Sequence, residues 1–486
     1  MSPPTPLELV LPIGRAESAL VLGAGAPERL RAQGGGGPAE LVIVAPNRVE
    51  AETLGWMDES ISQAIAAAAP GGMIYLLLPP AQRRRAISRL AGNGYSTTMF
   101  LHYPSLERTE YLVPGDRQTL RRWLESGEGT ASARRRLARI ALAVPGTDRG
   151  ATRLLPSVGV AALRSEGPAP FQWLSRLSGA RVVRGLVRAK WRAGRGGAVV
   201  TGLDGTGRAV VVAKIALGGP ESEARATHEV ERLERLGPAV RAAGARLPSP
   251  TLSALPGGWP VLLLSPLTGR PAARLLGSGA MAVDAVIAEL GEWLVRWNEA
   301  TVAAGRLDEG WAQRELLGPA VRLAPDLNDG EWYRQWLRAR TAEALGEPLS
   351  TVATHGDLTM SNVLLGDGPP AIVDWEAASS TGLPLRDLLY SAVDATAARD
   401  GYRDRVAAFV RCFPDGTGVS GSLGRLLDRL RRSAGLSERT TTLCVHACWL
   451  QHAADEQAKR APGEPRPFLE IVRRLAERAR VGQGAP

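Results

Sequence analysis

Four side chains able to hold a cation or move a proton crowd into Ala353–Glu376, ATHGDLTMSNVLLGDGPPAIVDWE: His355, Asp357, Asn362 and Asp374. Between Asn362 and Asp374 lie an apolar run (Val363-Leu364-Leu365), a Gly366-Asp367-Gly368 turn and a second apolar run, Ala371-Ile372-Val373. The pattern predicts strand, tight turn, strand. Closing that hairpin returns Asp374 to the side of Asn362. An aspartate and an asparagine facing one another offer hard oxygen ligands. These suit Mg²⁺, which keeps waters for phosphate oxygens. Asp357, on the loop before Asn362, then stands near a phosphoryl group, placed to orient an attacking hydroxyl. Upstream, Lys214 sits inside the apolar stretch Ala209–Ile215, AVVVAKI. A buried ammonium needs an anionic partner, and the following helix offers Glu221, Glu223, Glu229 and Glu231.

The string from His355 to Asn362 (HGDLTMSN), followed by Ile372 to Glu376 (IVDWE), resembles the H-x-D-x-x-x-x-N and I-x-D-[WF]-E signatures of the aminoglycoside phosphotransferase and choline kinase group. These are small-molecule kinases with a protein-kinase-like fold. The resemblance implies that Asp357 is the catalytic base, that His355 shapes the catalytic loop, and that Asn362 and Asp374 bind Mg²⁺. It implies ATP or GTP as co-substrate and a small-molecule hydroxyl as acceptor. Lys214 would pair the nucleotide phosphates and a helix glutamate; Glu229 fits best, with Glu231 the alternative. Leu262–Gly269, including Leu264, resembles the segment joining the two lobes, where backbone groups bind the base. Asp387, in Leu385-Arg-Asp-Leu, resembles the aspartate that braces the catalytic loop, and Glu376 could assist the metal. The glycine-rich phosphate loop is the departure. No G-x-x-x-x-G-K-[ST] occurs, and no G-x-G-x-x-G lies between Arg181 and Gly202. Gly185 or the Gly194–Gly197 stretch is left to cover the phosphates. An aminoglycoside, a macrolide, choline, a sugar and a peptide side chain remain equally compatible as acceptors.

The elements that must position these groups form two patterns. Residues 171–270 read as a small antiparallel sheet, with strands at Arg181–Val187, Gly197–Gly202, Ala209–Ile215 and Trp259–Leu264 and a hairpin turn at Asp204–Gly207. Residues 271–486 are mostly helical, an α+β two-lobed, kinase-like body. Residues 1–124 instead alternate strand and helix, which predicts a parallel, doubly wound α/β sheet, Rossmann-like and truncated. Its Gly23-Ala24-Gly25 turn and Ala69-Pro-Gly-Gly-Met-Ile-Tyr stretch resemble a class I S-adenosylmethionine methyltransferase. The second strand of that fold, which carries a ribose-binding acid, has no room here. A non-catalytic relative is expected, serving docking, dimerisation (hence a homodimer) or substrate presentation. Residues 125–170, a basic helix at Ala131–Val144 and then a Gly-, Pro- and Ser-rich stretch, are the expected helix and linker.

Composition bounds the rest. With 486 residues, 44% apolar and 22% charged, the chain is globular and holds more than one domain. No apolar run is long enough to span a membrane, and the N-terminus lacks the pattern of a secretory signal. Three cysteines make no disulfide framework, so a cytoplasmic location is expected. The +10 charge raises nucleic acid, but all but three of the 59 basic residues are arginines spread along helices, so a solvated basic surface is expected instead. The three lysines are Lys190, Lys214 and Lys459. Cys444, Cys448, His446 and His452 share one helical stretch, where packing is expected over a metal site. Two other functional readings stay open: a non-catalytic kinase-like scaffold and a bifunctional methyltransferase–kinase. A biosynthetic or tailoring pathway is the expected setting.

Overall fold

Apolar residues alternate on both faces of the N-terminal strands, and this dictates a sheet covered on both sides. The structure, a computed structural model, describes residues 7–11, 16, 18–22, 38–46, 54–103, 109–126, 158–167, 169–190, 197–217, 220–256, 258–414, 421–460 and 463–483. These fall into two compact units, one within 1–230 and 249–266, the other within 231–248 and 267–486.

The first unit is built on strands β1 (Ala19–Leu22), β2 (Ala39–Val44), β3 (Ala68–Leu76), β4 (Tyr95–Tyr103), β5 (Tyr111–Pro114), β6 (Val158–Arg164), β7 (Arg184–Lys190), β8 (Gly197–Leu203), β9 (Ala209–Ala216), β10 (Pro250–Leu255) and β11 (Trp259–Leu264). Helices α1 (Leu54–Ala67) and α2 (Pro80–Gly92) flank β3; α3 (Arg117–Ser126), α4 (Gln172–Ser178) and α5 (Pro220–Ala242) follow β5, β6 and β9. All eleven strands share one sheet, in the order β1-β2-β3-β6-β4-β5-β7-β8-β9-β11-β10. On β2, Val42 and Val44 pack with Met57 and Ile61 of α1 and Leu90 of α2, while Leu41 and Ile43 join the core on the other face with Met73, Phe100 and Trp173.

Two expectations are corrected here. The N-terminal sheet is not parallel throughout: β1, β2 and β3 are parallel, but β6 inserts antiparallel between β3 and β4. Nor is it closed on itself as a Rossmann-like sheet, because β5 pairs with β7 at Tyr111–Arg188 and Leu112–Val187 and so continues into β8 and β9. The cause is Val158–Arg164 (VGVAALR), a strand buried over all but its last residue within a stretch whose overall Gly and Pro content reads as linker. The Pro70-Gly71-Gly72 stretch is part of a strand. It lies inside β3, where the register with β2 shifts and Gly71 takes φ 81°, a conformation that glycine adopts without a Cβ penalty. Gly23–Gly25 and Ala131–Val144 lie outside the described residues.

The second unit contains β12 (Arg270–Pro271), α6 (Ala272–Gly277), α7 (Val283–Thr301), α8 (Glu309–Ala312), α9 (Gly318–Leu323), α10 (Gly330–Ala344), β13 (Val352–Thr354), β14 (Val363–Gly366), β15 (Gly368–Ile372), β16 (Ser379–Gly382), α11 (Arg386–Arg399), α12 (Arg405–Cys412), α13 (Gly421–Ser433), α14 (Glu438–Lys459) and α15 (Pro467–Gln483). Side chains cap the start of some of its helices. Asp404 accepts the Ala407 N–H (2.9 Å) ahead of α12, and Ser437 accepts the Thr440 N–H (3.1 Å) ahead of α14. On α7 the buried stripe Val286, Ile287, Leu290, Trp293, Leu294 and Trp297 has helical spacing. Trp293 stacks on Trp297 (5.0 Å), and Trp297 meets Trp375 edge-on (5.7 Å), which ties α7 to the turn after β15. Cys444, His446 and Cys448 are core residues of α14. Burial pushes the Cys448 thiol up to about 12, and His446 shares a 2.6 Å hydrogen bond with Tyr333.

Candidate active site

In the first unit, Lys214 lies near the end of β9, paired with Val199 of β8 and Leu262 of β11. Its strand neighbours Ala213 and Ile215 point into the core. The Lys214 Nζ donates to both carboxylate oxygens of Glu229 on α5, at 2.7 and 2.9 Å. Glu229 is only 2% exposed, whereas Glu231 is exposed, so burial separates the two candidates. Leu264 is buried at the end of β11, opposite Val212 and Pro250. Gly185 lies within β7, paired with Gly202, so it does not cap a loop. Gly194–Gly196 lie outside the described residues, and Gly197 opens β8.

In the second unit, β14 and β15 form the expected hairpin, with Val363 opposite Ile372 and Leu364 opposite Ala371. One step further, the Val373 N–H donates to the Asn362 carbonyl at 3.0 Å, which brings Asp374 next to the asparagine. Asp374 sits in the left-handed region, at φ 69° and ψ 65°. Aspartate tolerates that conformation better than most residues, at some cost in strain.

The loop that carries Asp357 is pinned at both ends. The Asp387 carboxylate accepts the N–H groups of His355 (2.6 Å) and Gly356 (3.0 Å). Gly356 has φ 79°, and a Cβ there would lie 2.5 Å from the Ala377 carbonyl, so only glycine fits. His355 is fully buried. Its Nε2 lies 3.0 Å from the Val373 carbonyl, and its Nδ1 accepts the Asp357 N–H at 3.4 Å, an arrangement that places the proton on Nε2. Its ring meets Trp375 edge-on at 4.9 Å. His355 thus links Asp357 to the chain just before Asp374.

The Asn362 amide nitrogen donates to the Asp357 carbonyl at 2.9 Å, so its Oδ1 is the end directed away from that bond. Burial raises the pKa of Asp357, and the fields of Asp374 and Asp394 add to the rise. Several carboxylates therefore act on one another within this unit, a donor set that a divalent cation would neutralise. The oxygen chemistry fits Mg²⁺.

Sequence reasoning missed what lies behind this loop. Asp394, with none of its side chain exposed, accepts the Met360 N–H (2.7 Å), the Tyr402 hydroxyl (3.1 Å) and Arg405 (3.0 Å). The Tyr390 hydroxyl lies 3.4 Å from Asp357 Oδ1, and its ring stacks on His452 at 4.0 Å. Asp387, Tyr390 and Asp394 stand three and seven positions apart on α11, one helical face. That spacing was available in the sequence, but which loop the face meets was not.

Sheet, helices, strand lysine and acid–amide loop define a class: a kinase-like phosphotransferase. Residues 195–434 match the model of the phosphotransferase enzyme family. No curated protein matches the chain. Solved structures similar to it include the GDP complex of aminoglycoside 2'-phosphotransferase-IIIa (14% identity, 64% of this chain and 96% of that one, TM-score 0.37). Others are a choline/ethanolamine kinase family protein from Mesorhizobium loti (15%, 62% and 88%, TM-score 0.34) and an aminoglycoside phosphotransferase from Streptomyces rimosus in complex with ADP and streptomycin (17%, 52% and 90%, TM-score 0.31). At these identities and scores the likenesses carry no argument beyond the family match.

Proposed function

We propose that this protein is a small-molecule kinase that transfers the γ-phosphoryl group of ATP or GTP to a hydroxyl. The observation that carries the reading is the hairpin closure, Val373 N–H to Asn362 carbonyl, that sets Asp374 beside Asn362 on the loop of Asp357. Asn362 Oδ1 and the Asp374 carboxylate would hold Mg²⁺, which when bound neutralises charge on the β- and γ-phosphate oxygens. Lys214, fixed by Glu229, presents its ammonium to the nucleotide phosphates. The acceptor hydroxyl approaches Asp357, which orients it and takes its proton as the new O–P bond forms. The bond to the β-phosphate oxygen breaks, and the nucleoside diphosphate leaves. Catalysis on this reading is positioning plus charge neutralisation. Leu264 and its neighbours at the end of β11 would supply backbone groups to the base.

The test is a kinase assay with ATP and GTP across acceptor classes: aminoglycosides, macrolides, choline, sugars and peptides. Mass spectrometry would detect the gain of about 80 Da for one phosphate. We expect Mg²⁺-dependent transfer to one class, and its loss in Asp374→Ala. Turnover that survives in Asp374→Ala would refute the metal assignment.

A further inference from the structure

Tyr390 stands on the face of α11 that meets the loop of Asp357, and its ring is held from several helices. His452 of α14 stacks on it face to face, with centroids 4.0 Å and planes 16° apart. Phe468, at the start of α15, closes in at 5.9 Å, and the Arg405 guanidinium carbon of α12 lies 6.0 Å from the ring centroid. The residue is only 6% exposed. A ring packed this way has little room to turn, so the helices, not solvent, set the place of the hydroxyl at its tip.

That hydroxyl has one proton to donate. Burial, with the Asp357 and Asp394 carboxylates adding to it, pushes the Tyr390 phenol up, so the proton stays on the oxygen at neutral pH. Its other neighbours are engaged elsewhere or cannot accept. Arginine has donors only, which excludes Arg405. Asp394 turns Oδ2 to the Met360 N–H and the Tyr402 hydroxyl, and Oδ1 to Arg405. The His452 imidazole lies parallel to the ring, and its Nε2 has no hydrogen-bond partner. Among the described residues, Asp357 Oδ1 is the acceptor of the Tyr390 O–H, at 3.4 Å. The contact is long, and hydrogen bonds of this kind tighten as the reacting groups come together. The other oxygen, Oδ2, faces Asn362 Nδ2, also at 3.4 Å, while that nitrogen donates at 2.9 Å to the Asp357 carbonyl. The carboxylate thus meets one donor at each oxygen, one from α11 and one from its own loop.

We propose that Tyr390 is a positioning residue: its O–H donates to Asp357 Oδ1 and fixes the plane of the carboxylate that orients the acceptor hydroxyl. The inference rests on the phosphoryl-transfer reading and adds to it a group that lies outside both signature motifs. Tyr390 does not touch the acceptor; it acts through Asp357. Without this donor the carboxylate is free to rotate about its Cβ–Cγ bond, and a misplacement of about 1 Å at a reacting group can cost ~10²-fold in rate. The contacts that bind acceptor and nucleotide do not include this hydroxyl, so its loss falls on turnover rather than on affinity.

Tyr390→Phe removes the hydroxyl and keeps the ring, so the stack on His452 persists. With the acceptor that the unaltered chain phosphorylates, we expect kcat about tenfold lower, KM for acceptor and nucleotide within about twofold, and an unchanged urea midpoint. A second readout needs no turnover. In protein labelled with ¹³C at the tyrosine Cζ, the Tyr390 signal is identified by its absence from Tyr390→Phe. It should move upfield in Asp357→Ala, as the charged acceptor is lost, while the Tyr333 signal stays in place and reports an intact second unit. Should Tyr333 move as well, the kinetic split decides alone. A kcat unchanged in Tyr390→Phe, a loss carried by KM instead, or a Tyr390 signal indifferent to Asp357→Ala overturns the inference. An unaltered chain that transfers phosphate to no acceptor defeats the phosphoryl-transfer reading and this role with it; an active chain with an unaffected Tyr390→Phe defeats this role alone.

Discussion

Glu229 meets Lys214 with both carboxylate oxygens, and it does so from a position where it cannot be solvated. The sequence left two glutamates open because both lie on one helix, and two positions along a helix point to nearly opposite sides. Only the packing of α5 against the sheet decides between them. The pair also separates stability from function. Glu229→Leu leaves a largely buried ammonium unmatched and should cost about 3 kcal/mol. Adding Lys214→Met removes the orphaned charge and should recover most of that loss, because a buried ion pair is often no better than well-packed apolar groups. Nucleotide affinity should fall in both variants and not recover. Urea unfolding and nucleotide titration measure the two quantities. A double variant as unstable as Glu229→Leu would show that the ion pair itself holds α5 to the sheet. At the Asp357 carboxylate, Asp357→Asn should lower turnover by about 10²–10⁴-fold, the range for a lost general base, with nucleotide affinity little changed. A parallel loss of affinity would place Asp357 in nucleotide binding instead.

The hairpin β14–β15 and the Asp204–Gly207 turn were legible because each is closed by residues next to one another in the chain. Asp204 alone accepts the N–H groups of Thr206 and Arg208, both at 2.9 Å. β6 and β10 were not legible. β6 pairs with strands far away in sequence and sits in a Gly- and Pro-rich stretch, while β10 (PTLSAL) carries no run of apolar residues, although Pro256-Gly257-Gly258 marks its turn to β11. The support behind the catalytic loop has the same character. α11 holds that loop at three points, with Asp387 at His355 and Gly356, Tyr390 at Asp357 and Asp394 at Met360. Arg405, from the next helix, closes the arrangement by pairing with Asp394 and lying over the Phe468 ring at 4.9 Å. Asp394→Ala strips the partner from a buried guanidinium and orphans the Met360 N–H. We expect a loss of about 3–5 kcal/mol, the usual result of breaking a buried charge pair from one side. Gly356→Ala forces a Cβ against the Ala377 carbonyl and should cost at least ~1 kcal/mol, with turnover falling further than stability, because the loop moves with it. Denaturant midpoints within ~0.5 kcal/mol of the unaltered chain would show that α11 is not what holds the loop.

Each unit buries a histidine in a neutral form, and this couples the whole molecule to acid. In the first unit His102 lies between Tyr75 (2.7 Å) and Thr109 (2.9 Å), and burial lowers its pKa to about 3. In the second, His446 of α14 bonds Tyr333 of α10, and burial lowers its pKa to about 4. The unfolded chain protonates both near 6.5. Below that pH the unfolded state takes up protons that the folded state refuses, so stability is full above about 6.5 and falls as the pH drops towards 4. For His446 the shift corresponds to as much as ~3 kcal/mol, at 1.36 kcal/mol per pKa unit. Asp394 has the opposite sign. Its pKa is raised, chiefly by burial, so the folded state holds its proton more readily as the pH falls, which offsets part of the loss in the second unit. The clean measurement is therefore a difference. His446→Gln still offers Tyr333 an acceptor but cannot be protonated. Relative to the unaltered chain, its second unit should gain stability steadily from pH 6.5 to pH 4.5, while the transition of the first unit, still carrying His102, keeps its original acid slope. Calorimetry across that range should show the two transitions drawing apart in the variant. Identical pH slopes in variant and parent would mean that His446 is charged, or solvated, in the folded protein.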